Sequence, residues 1–186
     1  KRCVGIAGDK LQIIDGRIHI NGIEQKTPEN AQHRYIVRTS GAMFGENASN
    51  KEGGHALGNF ALLDDLDIYV SEAAKVGDNK DTSYYDLNMP VDVASKVKAM
   101  PGVYSVTKKI EPKAYYDYRI FPPSPQYAWN NDNFGPLQIP KAGLTLAIDT
   151  GNLCLYEKIM NTYDDGIHQV YALNGKVYYD GQAIDK

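Results

Sequence analysis

The chain has 186 residues, a net charge of -3 and 42% hydrophobic residues, enough apolar material for a folded core, which excludes a disordered chain. Its lysines and arginines are scattered rather than clustered, so there is no basic footprint for nucleic acid. No apolar run reaches the roughly 18 residues of a membrane span, and nothing reads as a signal peptide.

In chain order, Lys1–Asp9 reads Lys-Arg-Cys-Val-Gly-Ile-Ala-Gly-Asp. Gly5 and Gly8 do not form a phosphate loop, because no Gly-Lys-Ser/Thr ending follows. Leu11–Gly22 alternates apolar and polar residues around Asp15-Gly16, which predicts a β-hairpin with a type I′ turn. His33–Arg38 and Tyr104–Thr107, rich in β-branched and aromatic residues, predict strands. Leu57–Leu66 predicts a helix. The nearby Asp64, Asp65 and Asp67 read as a solvated face, since no ligand-rich loop follows them. Val91–Met100 places apolar residues at 93, 94, 97 and 100, between Pro90 and the Pro101-Gly102 stop, and predicts a second helix. Tyr115–Trp129, dense in aromatics and prolines, reads as an extended loop covering its own sheet. Leu153–Tyr163 predicts a third helix, with Leu155, Ile159 and Met160 on one face. Gln169–Gly181 repeats the first hairpin with Asn174-Gly175 at its turn, a weak internal repeat. The expected fold class is mainly β with a few short helices, an α+β arrangement of antiparallel hairpins.

Cys3 and Cys154 are too few for a disulfide framework and read as small apolar residues, with pairing in an oxidising compartment as the alternative. His19, His33, His55 and His168 lie far apart without zinc-ligand spacing, and read as surface histidines.

Lys1–Asp9 resembles the catalytic-lysine box of bacterial type I signal peptidases, departing from it at Ala7, where the family carries proline and where the change loosens one turn. Two further stretches are similar to signal peptidases with an enlarged second domain. They are Phe121–Gly143, and Leu153–Tyr163 together with Gly175–Gly181. The resemblance covers 1–24 and 121–186 well and the middle only loosely. It implies a Ser/Lys-dyad endopeptidase that removes signal peptides from exported preproteins. Lys1 would be the general base, supported by Arg2, Gly5, Gly8 and Asp9. An amine with a reference pKa of ~10.4 acts as a base at neutral pH only in a dry, apolar setting.

The resemblance further implies a transmembrane anchor, a location on the outer (periplasmic) side of the bacterial cytoplasmic membrane, and no metal or organic cofactor. In the family the nucleophile lies in a Ser-Met-x-Pro box upstream of the lysine, and a Gly-Asp-Asn-Arg box follows the insertion. None of the chain's serines precedes Met-x-Pro. The expectation is therefore a piece of a longer protein, inactive by itself, with 1–10 a remnant of the catalytic β domain and 11–186 the inserted accessory domain. Gly77–Ser83 with Asp86 imitates the last family box. However, Ser71–Lys75 before it is polar and helix-prone and the spacing at Asp86 is off by one, so the stretch reads as a solvated turn with Ser83 facing solvent, far from Lys1. The alternative function is a non-catalytic, β-rich periplasmic or secreted binding module.

Overall fold

The structure, a computed structural model, describes residues 4–41, 65–68, 73–79, 81–164 and 168–184. The chain divides into two compact units: a terminal unit of Lys1–Gln25 with Glu111–Lys186, and a central unit of Lys26–Ile110. Strands dominate both, and the helices among the described residues are short, so the chain is mainly β with an α+β character.

The terminal unit starts with a meander, β1 (Lys10–Ile14), β2 (Arg17–Ile20) and β3 (Ile23–Glu24). Leu11 pairs with Ile20 and Ile14 with Arg17, as the hairpin pattern predicts. Asp15 and Gly16 both take positive φ, and so do Asn21 and Gly22, so two type I′ turns follow each other and create β3, a strand the sequence reading omits. The second meander has the same plan. β9 (Val170–Leu173), β10 (Lys176–Tyr179) and β11 (Gln182–Ile184) are joined by positive-φ turns at Asn174-Gly175 and Asp180-Gly181. The weak sequence repeat is thus a structural one.

β8 (Phe134–Gln138), also unforeseen, joins the outer side of β1 to give the order β3-β2-β1-β8. The β1–β8 register slips between Leu11 and Ile13, and Gly135 (φ +82) sits at that irregularity. A Cβ there would lie 2.6 Å from the Leu11 carbonyl oxygen, so only glycine fits.

The helix at the end of this unit is shorter than the pattern suggests. The regular segment is Leu153–Ile159; Met160–Asp164 widens into a π-helical turn. Its buried residues are Leu153, Leu155 and Tyr156, whereas Ile159 is exposed, so the apolar face differs from the expected one. Leu153 packs with Val170 and Val177 of the second meander.

In the central unit β4 (His33–Ser40) and β7 (Val103–Lys108) fall where expected, as does the helix Val91–Lys98, hereafter α1, with Val93, Ala94 and Val97 buried. β5 (Ala73–Asn79) and β6 (Thr82–Met89) complete a fully antiparallel sheet of order β5-β6-β4-β7. β6 runs through α1 to β7 with β4 lying between them, a split β-α-β connection. Residues 57–64 of the expected Leu57–Leu66 helix lie outside the described residues. Leu66 and Ile68 join the core, while Asp65 and Asp67 are exposed.

Here the sequence reading of 71–83 is corrected. Residues from Ala73 are strand, not helix, and Ser83 is 1% exposed instead of facing solvent. The reason is β6: Ser83, Tyr85, Leu87 and Met89 alternate inward and are all buried. Such a strand needs partners on both edges, and that pairing overrides the weak propensity of Ala-Ala-Lys.

Candidate functional site

Of the residues singled out by the lysine box, Lys1 and Arg2 lie outside the described residues; Gly5, Gly8 and Asp9 are described. The amide of Asp9 donates to the Ile6 carbonyl at 3.0 Å, closing a four-residue turn whose third residue, Gly8, has φ +96 while Ala7 does not take positive φ. That is a type II turn, the kind that favours proline at its second position and glycine at its third. The physical meaning of Ala7 follows. It stands where proline would restrict the backbone in advance, and the turn forms without it.

Asp9 does more than close the turn. Its carboxylate accepts from the Ile6 amide at 3.0 Å and from the Asn21 carboxamide at 2.9 Å. Asn21 in turn accepts from the Lys10 amide at 2.9 Å, locking the box to the second turn of the first meander. On the other side Gly8 donates to the Ile139 carbonyl at 3.0 Å and Ile139 donates to that of Asp9 at 2.8 Å. The Gln138 carboxamide reaches the carbonyls of Gly8 and Asp9 at 3.0 and 3.2 Å, and the Tyr156 hydroxyl donates to the Gln138 carbonyl. Gly5 is tight as well, since a Cβ there would come within 2.8 Å of Ile139 Cδ1.

These contacts make residues 5–9 a braced turn whose partners are amides, carboxamides and aliphatic carbons. Its chemistry is positional, because it fixes the course of the backbone that leads out of residue 4. Asn21 was legible as part of an Asn-Gly pair, yet nothing local marks it or Gln138 as a support for the box.

The remaining candidates each have a setting of their own. Ser83 and Asp86 belong to β6 of the central unit. Cys154 is a free, half-buried thiol that receives a 3.6 Å contact from the Gln126 carboxamide. His168 pairs with Asp180 at 2.5 Å and stacks on Tyr179. Among the described residues no three His, Cys, Asp or Glu side chains gather as metal ligands, and no helix is long and apolar enough to cross a membrane.

The Tyr115–Trp129 loop covers its own sheet in part. Trp129 lies 4.5 Å from the ring of Phe134 on β8 and lines an open groove of about 320 Å³ with Ile13 and Ile14 of β1. Tyr115 and Tyr118, by contrast, are exposed.

In comparisons with known proteins, no family model, no curated protein and no solved structure matched this chain.

Proposed function

We propose that the chain is the lysine-box and insertion region of a membrane-anchored type I signal peptidase, a serine endopeptidase that cleaves signal peptides from exported preproteins outside the cytoplasmic membrane. One observation carries this reading. The two stretches that resemble the family well, 1–24 and 121–186, are far apart in sequence yet belong to one compact unit, with β1 paired to β8, whereas most of the middle, where the resemblance is loose, forms a unit of its own. A chance likeness in scattered segments has no reason to respect that boundary. The box agrees internally too: each glycine stands where a Cβ meets a neighbouring atom, and Asp9 holds the turn.

On this reading Lys1 is the general base, Arg2 flanks it, and Gly5, Gly8 and Asp9 brace the turn that follows. The nucleophilic serine and the oxyanion donors come from residues outside these 186. The reading needs no cofactor.

The test uses the longer protein encoded by the gene, in membranes, with a preprotein substrate. Cleavage at the signal-peptide junction that disappears in Lys1→Ala is the expected result. Cleavage untouched by that change, or a gene without a Ser-Met-x-Pro segment upstream of Lys1, overturns the proposal. The 186-residue chain alone should show no cleavage above buffer.

A further inference from the structure

The edges of the sheets differ in how they are closed. In the terminal unit β3 has two residues and β11 three, β8 carries Pro136, and the Asn161 carboxamide covers β9 at Val170, donating to its carbonyl and accepting from its amide. Short strands, prolines and side-chain covers of this kind keep an edge from pairing with another chain. In the central unit β5 slips its register between Lys75 and Gly77. β7, at the other edge of that sheet, has six residues and runs from Ser105 to Lys108 without a slip or a proline.

The Lys109 amide donates to the Arg34 carbonyl at 2.8 Å, and that bond sets the phase of the β4–β7 ladder. With Thr107 opposite Ile36 and Ser105 opposite Arg38, the hydrogen-bonded pairs fall at 105, 107 and 109. Val106 and Lys108, opposite Val37 and Tyr35, therefore turn their amides and carbonyls away from β4. Among the described residues these groups have no hydrogen-bonding partner. Nearer the start of the strand the register slips between Arg38 and Thr39, which leaves Tyr104 as an extra residue and interrupts the ladder there. Val106 packs against the apolar cluster, so Thr107, one residue on, lies on the opposite face, where it is exposed.

We infer that the β7 edge is a self-association surface, which pairs antiparallel with β7 of a second copy of this chain about a two-fold axis through Thr107. The free groups are self-complementary. In that register Val106 faces Lys108 of the second copy and Lys108 faces its Val106, so the amides and carbonyls of both residues are satisfied on both edges. Thr107 meets its own counterpart in the closer, non-hydrogen-bonded kind of pair, in which threonines suit one another. On the other face the aliphatic stem of Lys108 covers Val106 of the second copy. A register centred on Val106 would instead draw on Tyr104, where the ladder is interrupted. Any extended peptide offers a backbone, but a second copy presents its own open groups at the matching spacing. A two-fold contact uses the same edge twice and closes at two copies. So short an edge makes a weak, concentration-dependent dimer. The inference concerns the central unit and stands apart from the reading of the lysine box.

The experiment is sedimentation equilibrium of the intact chain over a roughly hundredfold range of concentration, in which the apparent mass should climb from 20.6 kDa towards twice that value. Lys108→Pro removes an outward amide without touching the β4 ladder, so it should keep the parent's far-UV circular dichroism and stay monomeric. Thr107→Lys, at an exposed position, sets like charges opposite each other and should weaken the dimer by about threefold or more. Disulfide trapping reads the register. In a chain with Cys3 and Cys154 changed to serine, Thr107→Cys should oxidise to a covalent dimer, because facing Cα atoms in such a pair lie about 4.5 Å apart. Ser105→Cys, more than about 13 Å from its counterpart, should not. A mass of 20.6 kDa at every concentration overturns the inference, even if an added extended peptide binds the edge. So does a dimer that Thr107→Lys leaves unchanged, or one that is trapped at position 105 and not at 107.

Discussion

The two units are held by different means. Among the described residues, ten buried side chains form one apolar cluster in the central unit, from Tyr35 through Tyr85, Leu87 and Met89 to Val97. The second meander's cluster in the terminal unit has three, Leu153, Val170 and Val177. There the ordering comes largely from polar side chains that serve the backbone. Asn130, 1% exposed, donates to the carbonyls of Pro112 and Tyr115 and accepts from the amides of Asp132 and Asn133. Asn161 pairs both ways with Val170, at 2.7 and 2.9 Å. The reason is topological. Long irregular segments have no ladder to satisfy their amides and carbonyls, and short Asn and Asp side chains supply the missing partners. A sheet with a helix on one face satisfies its backbone internally and can afford an apolar core.

That contrast can be broken most directly at Leu87, which is fully buried. Leu87→Ala should destabilise the central unit by roughly 3–5 kcal/mol through lost burial and a residual cavity. The chain's one tryptophan, Trp129, belongs to the terminal unit and reports on it separately. In urea, far-UV circular dichroism should gain an early transition while the Trp129 fluorescence midpoint stays. Equal shifts of both signals would mean that the division in stabilising forces is not a division in unfolding.

The converse change is Asn130→Ala, which removes the partner of two amides and of the Tyr115 carbonyl, while the Pro112 carbonyl keeps the Tyr115 amide, and should cost about 2–4 kcal/mol. This time the Trp129 transition should move. A loss under about 0.5 kcal/mol, the range of an ordinary surface substitution, would show that the polar network is dispensable.

Acid should act on both units through carboxylates held by cations. In the terminal unit the Arg119 side chain, followed by its backbone amide, brings the Asp117 carboxyl down to about 2. A folded pKa below the unfolded value of ~3.9 means stability that is present above that value and lost as pH falls through the folded one. Asp117 should therefore stay charged at pH 3, when unfolded carboxylates are mostly protonated. Asp86 of the central unit should also titrate below the usual range, and Arg34→Gln should raise it. Carboxyl chemical shifts followed by NMR between pH 5 and 2 check all three statements.

The smallest effect concerns the lysine-box turn. Ala7→Pro places proline at the second position of a type II turn and should stabilise the terminal unit by about 0.4–1 kcal/mol, mainly by restricting the unfolded chain. A destabilised variant would show that the turn at residues 6–9 is not the type assigned.

Local chemistry determined the elements whose signals lie within a few residues. Asp15-Gly16 and Asn174-Gly175 specify type I′ turns because both positions tolerate positive φ, and Val91–Lys98 declares itself by spacing and by flanking prolines. The mainly β class follows from these. What the tertiary structure decided rests on pairing and burial across long separations. β6 is a core strand because its alternate residues meet α1 and the neighbouring strands. The Gly77–Asp86 stretch, for all its polar letters, is therefore the hairpin arm of a buried sheet. The supports of the lysine-box turn, Asn21 and Gln138, come from residues 12 and 129 positions away from Asp9, a distance over which no local pattern carries information. The open edge of β7 has the same cause, since only the antiparallel register against β4 turns the amides and carbonyls of Val106 and Lys108 outward.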